Sequence, residues 1–291
     1  MRSDTAEKLH SIKERYFDWK SRVRVSLDPN GKVYHVSGDE RVNEDDDLPR
    51  VTSITNIIDK GEGFHTYPMY QAINYIRDNL SNGVSGVNDI DELLTESLGA
   101  YKDHTNTAAN YGSEAHALIE QLQREPLTTV PEEFKITIDA WENWIDSSGI
   151  VILDTEIPVY YSDTSSKDAP IAFAGTVDMI GFDRHGRPVI CDYKTGKSIY
   201  TTHALQLAAY SLAFSYCGIG SFIDAGSLVD VRAFVIRLPK DADGELEIKE
   251  VQHIGSQQQA FINACKLRQW QSRRDKWYRK SATRDNSPSS P

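Results

Sequence analysis

Cysteine is scarce in this chain: Cys191, Cys217 and Cys265 are the only three in 291 residues, and no two form a Cys-x-x-Cys pair. A disulfide framework is therefore not expected, the thiols should be reduced, and three cysteines cannot supply the four thiolates of a self-contained iron-sulfur cluster. Long apolar runs are missing too. Nothing approaches the roughly 20 residues of a membrane-spanning helix, and Met-Arg-Ser-Asp-Thr-Ala-Glu at the N-terminus lacks the apolar stretch of a secretory signal. The expectation is a cytoplasmic protein with no membrane partner. No Gly-rich loop ending in Lys-Ser/Thr occurs, so an ATP-driven motor would be a separate protein. Positive charge is outweighed: 32 Lys and Arg face 43 Asp and Glu, a formal net charge of -11. That balance counts against coating nucleic acid by bulk electrostatics.

With 39% hydrophobic residues, the chain has enough apolar material for one substantial core, and a single domain over 1–280 is expected. The polar, Pro-ending stretch 281–291 reads as a disordered tail. Charge is unevenly placed. Asp39 to Asp47 is an acidic run that reads as a solvated loop, whereas Lys266 to Arg284 holds eight Lys or Arg against Asp275, with Trp270, Trp277 and Tyr278 among them. Such a basic helix either grips phosphates and stacks bases, or docks on the core through its aromatics and Leu267 with its charges in water.

Local patterns mark the elements. Arg22 to Ser26 and Lys32 to Val36 alternate around Asp28-Pro-Asn-Gly31, a hairpin signal. Pro131 to Ser148 is an amphipathic helix with Phe134, Ile138, Trp141 and Ile145 on one stripe and Gly149 at its end. Val229 to Leu238 and Glu245 to Val251 read as strands around a turn at Asp241 to Gly244. No internal repeat is present.

The most informative stretch is Gly175-Thr-Val-Asp178-Met-Ile-Gly-Phe, a turn at Asp183 to Gly186, and Val189-Ile-Cys-Asp192-Tyr-Lys194. Turn chemistry between two hydrophobic segments predicts a hairpin that sets Asp178 beside Asp192. Side chains alternate along a strand, so Asp192 and Lys194 share a face and Tyr193 takes the other. Two carboxylates suit Mg²⁺ or Mn²⁺, and such a cation polarises a phosphoryl oxygen and acidifies water. Lys194 is placed to orient water or to neutralise charge developing on phosphorus. The competing reading is a surface hairpin with ordinary solvated charges.

Two helices flank this hairpin in sequence. Over Ala108 to Gln123, Gly112, His116 and Glu120 recur every four residues and line one face; His116 offers a nitrogen ligand or is a partly buried structural histidine. Over His203 to Tyr216, Gln206 and Tyr210 lie one turn apart, donors able to hold a phosphate or Lys194.

In order, Gly112-x-x-x-His116, Gly175-x-x-Asp178, Asp192-x-Lys194 and Gln206-x-x-x-Tyr210 resemble the motif series of the RecB-like branch of the PD-(D/E)XK nuclease superfamily. The resemblance covers about Ala108 to Tyr210. Asp stands opposite Lys194 and no Pro precedes Asp178, variations usual in that branch. The resemblance implies a restriction-endonuclease-like α/β core, a mixed central sheet flanked by helices, here with an N-terminal hairpin and helical additions. It implies His116, Asp178 and Asp192 as ligands of Mg²⁺ or Mn²⁺, Lys194 as the catalytic lysine, Gln206 and Tyr210 as supporting residues, and Glu156 as a further acidic site residue. Leu48-Pro49-Arg50-Val51-Thr52-Ser53-Ile54-Thr55 is similar to the Pro-Ser-Val-Thr segment that opens phage-type and mitochondrial-genome-maintenance-type exonucleases, with Arg50 in place of Ser. Alternatively it is a loop entering a helix capped by Thr52 or Ser53. The resemblance thus implies a DNA exonuclease of phage replication, recombination or DNA repair. The other readings are a structure- or sequence-specific endonuclease and a non-catalytic DNA-binding protein.

Overall fold

The computed structural model describes residues 13–14, 16–58, 62–80, 87–124, 129–165, 170–217 and 231–272. Arg24–Leu27 (β1), Val33–Ser37 (β2) and Leu48–Pro49 (β3) form an antiparallel sheet, so the expected hairpin gains a third strand. Its turn works as the sequence reads. Gly31 adopts φ 65°, where glycine carries no Cβ penalty, and the Asp28 carboxylate accepts hydrogen bonds from the backbone N–H groups of Asn30, Lys32 and Val33.

Val51–Thr55 (α1) follows, with Arg50 as its N-cap and no side-chain capping bond. Thr52 and Ser53 lie inside the helix, and the Ser53 hydroxyl turns back to donate to Arg50 O. The Arg50 guanidinium instead donates to Gly31 O at 2.8 Å, tying the helix start to the hairpin turn. Glu62–Leu80 (α2) and the 38-residue Val87–Arg124 (α3) come next. The helix expected over 108–123 is thus the C-terminal part of a longer one. After a 3₁₀ turn at Glu132–Phe134, Lys135–Ser148 (α4) ends at Gly149 in the left-handed region, φ 68°.

Val151–Asp163 (β4), Ile171–Phe182 (β5), Pro188–Lys194 (β6), Arg232–Arg237 (β7) and Glu247–Glu250 (β8) build the central sheet in that spatial order. Pairing is antiparallel except between β6 and β7, which are parallel. Thr201–Tyr216 (α5) lies between those two strands in the chain, the crossover a parallel pair requires. Ile254–Ser272 (α6) completes the fold. This is an α/β architecture with a mixed sheet flanked by helices.

Period-two burial divides the core. In β6, Val189, Cys191 and Tyr193 pack with α3 and α4 residues such as Ile119, Trp141 and Trp144, whereas Ile190 packs with Leu207, Phe214 and Phe261 on the opposite side. Helix α5 is buried nearly all round and contains Ala208, Ala209 and Ala213 at zero exposure; small side chains let it sit between the sheet and its helical neighbours.

Two expectations are corrected. Asp39 does not belong to a solvated loop: its carboxylate is 9% exposed, pairs with Arg41, and accepts a hydrogen bond from the buried Tyr160 hydroxyl. Arg41 reaches on to donate to Tyr216 O at 2.8 Å and stacks over the Tyr216 ring, so a distant helix end consumes this pair of charges. In α6 the docking side chains are Phe261, Ala264 and Cys265, while Leu267 and Trp270 are 45% and 54% exposed. Trp277, Tyr278, the rest of the basic segment from 273, the tail and the first residues of the expected 229–238 strand lie outside the described residues.

Candidate active site

The site forms where the central sheet splits. Pairing of β5 with β6 ends at Met179↔Cys191, while β5 continues with β4 and β6 continues with β7. One step beyond that last pair, the register sets Asp178 opposite Asp192. Likewise Thr155↔Met179 and Ile157↔Val177 bracket Glu156 and Asp178. Three carboxylates therefore occupy one row across three strands. At the fork, the Tyr193 N–H donates to Asp178 Oδ2 at 2.6 Å, replacing the backbone acceptor that the ended ladder does not supply.

Glu156 takes φ 50° in mid-strand. A non-glycine residue there is strained by about 1–3 kcal/mol, and such outliers concentrate at functional sites. The consequence here is local: His116 Nδ1 lies 3.7 Å from Glu156 Oε1 and 3.6 Å from Asp178 Oδ1. Helix α3 brings the histidine across, and Gly112 permits the approach, because a Cβ there would stand 3.1 Å from Thr195 Oγ1. His116 Nε2 faces Tyr193 O at 3.2 Å. A carbonyl only accepts, so Nε2 carries the proton and, in the neutral ring, Nδ1 presents its lone pair to the carboxylates.

His116, Glu156 and Asp178 offer ligand atoms that all lie within 4.8 Å of one another. One nitrogen and two carboxylates in that space suit a divalent cation. Asp192, expected as a ligand, is held differently. Its Oδ1 accepts from Gln206 Nε2 at 2.9 Å, and its Oδ2 meets Lys194 Nζ at 2.5 Å and has no other protein partner. The Lys194 ammonium thus occupies that oxygen, and the ligand atoms that share one small space are those of His116, Glu156 and Asp178.

Electrostatics match that geometry. Burial pushes the Asp178 carboxyl above its ordinary range, opposed by His116 and Lys194; burial also raises Asp192, opposed by Lys194. Desolvation alone would lower His116, but Asp178 and Glu156 outweigh it and raise the ring to about 9. Burial would likewise lower Lys194, but Asp192 and Asp178 hold it above its usual value. The cluster carries concentrated negative charge that a cation relieves.

Gln206 Nε2 donates to Asp192 rather than to the Lys194 side of the site. Its amide bridges Asp192 and the Tyr210 hydroxyl, the latter at 3.0 Å. Tyr210 in turn explains Gly175: a Cβ at 175 would stand 2.6 Å from Tyr210 Cε1. A cleft of about 550 Å³ opens beside the cluster, lined by Gly112, His116, Glu120, Glu156, Lys194 and Thr195 among others. Sequence reasoning missed the backbone of Tyr193, which fixes both His116 and Asp178. Backbone atoms leave no signature in residue type.

The family model of the PD-(D/E)XK nuclease superfamily matches residues 138–284, half of the chain. The chain belongs to the PD-(D/E)XK nuclease superfamily. Membership brings metal-dependent nuclease chemistry with it, and the His116, Glu156 and Asp178 cluster is a place for the metal. No curated protein matches the sequence. Among solved structures, one described as "Crystal structure of SSO0001" is similar over 74% of this chain and 88% of its own, at 11% identity and a TM-score of 0.33, a likeness too slight to carry any argument. No helix among the described residues is long and apolar enough to cross a membrane.

Proposed function

We propose that this protein is a Mg²⁺- or Mn²⁺-dependent deoxyribonuclease that hydrolyses DNA from an end or along a single strand. The observation that carries the reading is the row Glu156, Asp178 and Asp192 at the sheet fork, with His116 and Lys194 closing it beside an open cleft. His116, Glu156 and Asp178 would hold the cation, and Asp192, which lies beside Asp178 in the row, would join them where Lys194 yields its oxygen; a nitrogen among the oxygens makes Mn²⁺ at least as suitable as Mg²⁺. The bound cation supplies Lewis acidity toward the phosphoryl oxygen and acidifies water.

The chain's own groups do the rest. Lys194, 23% exposed at the cleft, orients the attacking water and neutralises charge as it develops on phosphorus. Gln206 and Tyr210 keep Asp192, and through it Lys194, in place. The concentrated carboxylates repel a phosphate until the cation is present, so productive DNA binding is metal-dependent. An exonuclease is favoured over an endonuclease by the Leu48 to Thr55 segment, which resembles the one that opens phage-type and mitochondrial-genome-maintenance-type exonucleases. Its Arg50 bridges to Ala174, the neighbour of Gly175, and the Tyr34 hydroxyl meets Thr176 at 2.9 Å, so this segment buttresses the site strand. Residues 1–280 act as one domain, in the cytoplasm of the host cell, with phage replication, recombination or DNA repair as the setting.

The test is degradation of end-labelled linear single-stranded and duplex DNA beside a closed circle, with Mg²⁺, Mn²⁺ or EDTA, for wild type and Lys194→Ala. Metal-dependent loss of linear DNA alone, abolished by Lys194→Ala, is expected. Cleavage of the circle would replace the exonuclease reading with an endonuclease. No cleavage of any substrate would sink the enzyme reading.

A further inference from the structure

Helix α2 and the first half of α3 pack side by side as an antiparallel hairpin. Its register is fixed by hydrogen bonds from the Tyr75 hydroxyl to Glu96 Oε2 at 2.9 Å and between the Tyr67 hydroxyl and His104 Nδ1 at 3.1 Å. Ile73 therefore lies level with Leu98, Arg77 with Leu94 and Leu80 with Asp91. The hairpin has almost no core of its own. No described side chain of α2 is buried, and the described residues in the first half of α3 bury only Leu93 and Ser97.

Large apolar side chains face water instead. Met69, Ile73 and Leu80 of α2 and Ile90, Leu94 and Leu98 of α3 are 47–75% exposed. At about 100° per residue, each trio falls on a single flank of its helix. Glu96 falls on the other flank of α3, where it meets Tyr75, and Tyr75 lies on the flank of α2 away from its trio. Both trios therefore face the same way and join into one patch. Six such side chains amount to several hundred Å² of apolar surface, the extent that marks an interaction site on a soluble protein. Charges border the patch asymmetrically. Arg77 stands on the outer edge of α2, paired only with its exposed neighbour Asp78 at 3.4 Å, and Asp91 stands on the outer edge of α3 with no ion pair among the described residues.

We propose that this patch is a homodimer interface in which α2 of each copy packs antiparallel on α3 of the other, closing two hairpins into a four-helix bundle. A twofold axis parallel to the helices keeps every level, so Ile73 meets the partner's Leu98, Leu80 meets the partner's Ile90, and Arg77 meets the partner's Asp91. An axis across the helices would stack α2 on α2 and set like charges along each edge. The patch is thus self-complementary in one arrangement, as an isologous interface must be. With its polar rim it approaches the roughly 800 Å² per partner of a stable complex. An apolar surface edged by Asp78 and Asp91 does not suit a phosphate backbone. Leu98 is 18 residues from His116, about 27 Å along α3, so the bundle stands clear of the candidate active site, and both clefts open at the same end of it.

Sedimentation velocity of the full chain tests this. At about 10 µM, a concentration at which interfaces of this size associate, wild type is expected as a dimer of twice 32.8 kDa. Leu98→Glu should raise the dimer Kd about 100-fold; its side chain already faces water, so circular dichroism and Tm should not change. Arg77→Glu and Asp91→Arg should each weaken the dimer roughly tenfold, and the double reversal should recover most of that loss. A wild type still monomeric at about 100 µM overturns the proposal, and if that monomer binds neutral lipid vesicles the patch belongs to a membrane surface. A dimer indifferent to Leu98→Glu overturns the choice of surface, and a double reversal without recovery overturns the pairing of α2 with α3.

Discussion

Gly175→Ala is a one-methyl change whose sign discriminates between two effects. In a strand, replacing glycine by alanine restricts the unfolded chain and by itself stabilises by about 0.4–1 kcal/mol. Against this stands the contact: the added Cβ would lie 2.6 Å from Tyr210 Cε1, 3.2 Å from its hydroxyl and 3.3 Å from Cζ. Tyr210 is 3% exposed, and its hydroxyl is engaged by Gln206, so the ring has no free direction in which to retreat. Overpacking of this kind costs about 1–3 kcal/mol, which exceeds the entropic gain. The net expectation is destabilisation by about 1–2 kcal/mol, a fall in Tm of roughly 2–8 °C for a domain of this size. Because the displaced ring holds Gln206 and Gln206 holds Asp192, binding of Mn²⁺ should also weaken, by about 10-fold as for other outer partners of a metal site. Thermal melts and calorimetric titration with Mn²⁺ read both quantities. Relief of the clash by Tyr210→Leu in the Gly175→Ala background should make the two changes less than additive. A variant as stable as wild type, or more so, with unchanged Mn²⁺ binding would refute the argument that Tyr210 fixes this position as glycine.

Gln206→Leu should cost about 1–3 kcal/mol in urea unfolding, because Asp192 Oδ1 loses its donor while buried; a change within experimental error would show that Asp192 is satisfied some other way. The raised His116 gives a pH dependence: below about 9 a proton competes with the cation, so Mn²⁺ affinity should climb up to tenfold per pH unit toward that value, with proton release visible in buffers of different ionisation enthalpy. In the metal-free protein the sign reverses. A folded value above the unfolded 6.5 means the His116 contribution is fully present below 6.5 and is lost as pH rises through about 9, so Tm should decline over that window, and His116→Gln should flatten it. For Asp39, burial pushes the carboxyl up, but hydrogen bonds from Arg41 and Tyr160 win and hold it at about 2 against an ordinary 3.8. Its stabilisation is therefore complete above 3.8 and lost as pH falls through about 2; Asp39→Asn should remove that acid-dependent segment of the Tm profile, and a profile identical to wild type would count against the network.

The sequence alone determined most of the local elements. The hairpin of β5 and β6 is written in alternation around Asp183 to Gly186, and the placement of Asp192 and Lys194 on one face follows from the period of a strand. His116 and Gln206 were legible because one helical turn puts Gly112 and Tyr210 on their respective faces. Each of these inferences uses only the spacing of neighbours along the chain.

What tertiary structure decided concerns which groups meet. Spacing set Asp178 beside Asp192, but only the fork in the sheet shows Glu156 joining them in the row, in a backbone conformation no propensity assigns to glutamate. Gln206 had several polar groups within reach, and the packing of α5 against β6 selected Asp192. Asp39 sits in an acidic run whose composition reads as solvated, yet Arg41 and Tyr160, the latter far away in sequence, enclose it. The approach of the Trp141 indole N–H to the Tyr193 hydroxyl is invisible in a helical wheel, where Trp141 is simply part of an apolar stripe. Periodicity reports the face on which a side chain lies, because that depends on backbone geometry repeated every two or 3.6 residues. Partnership depends on how separate elements close against one another, and on which buried polar atom finds, or fails to find, a complement there.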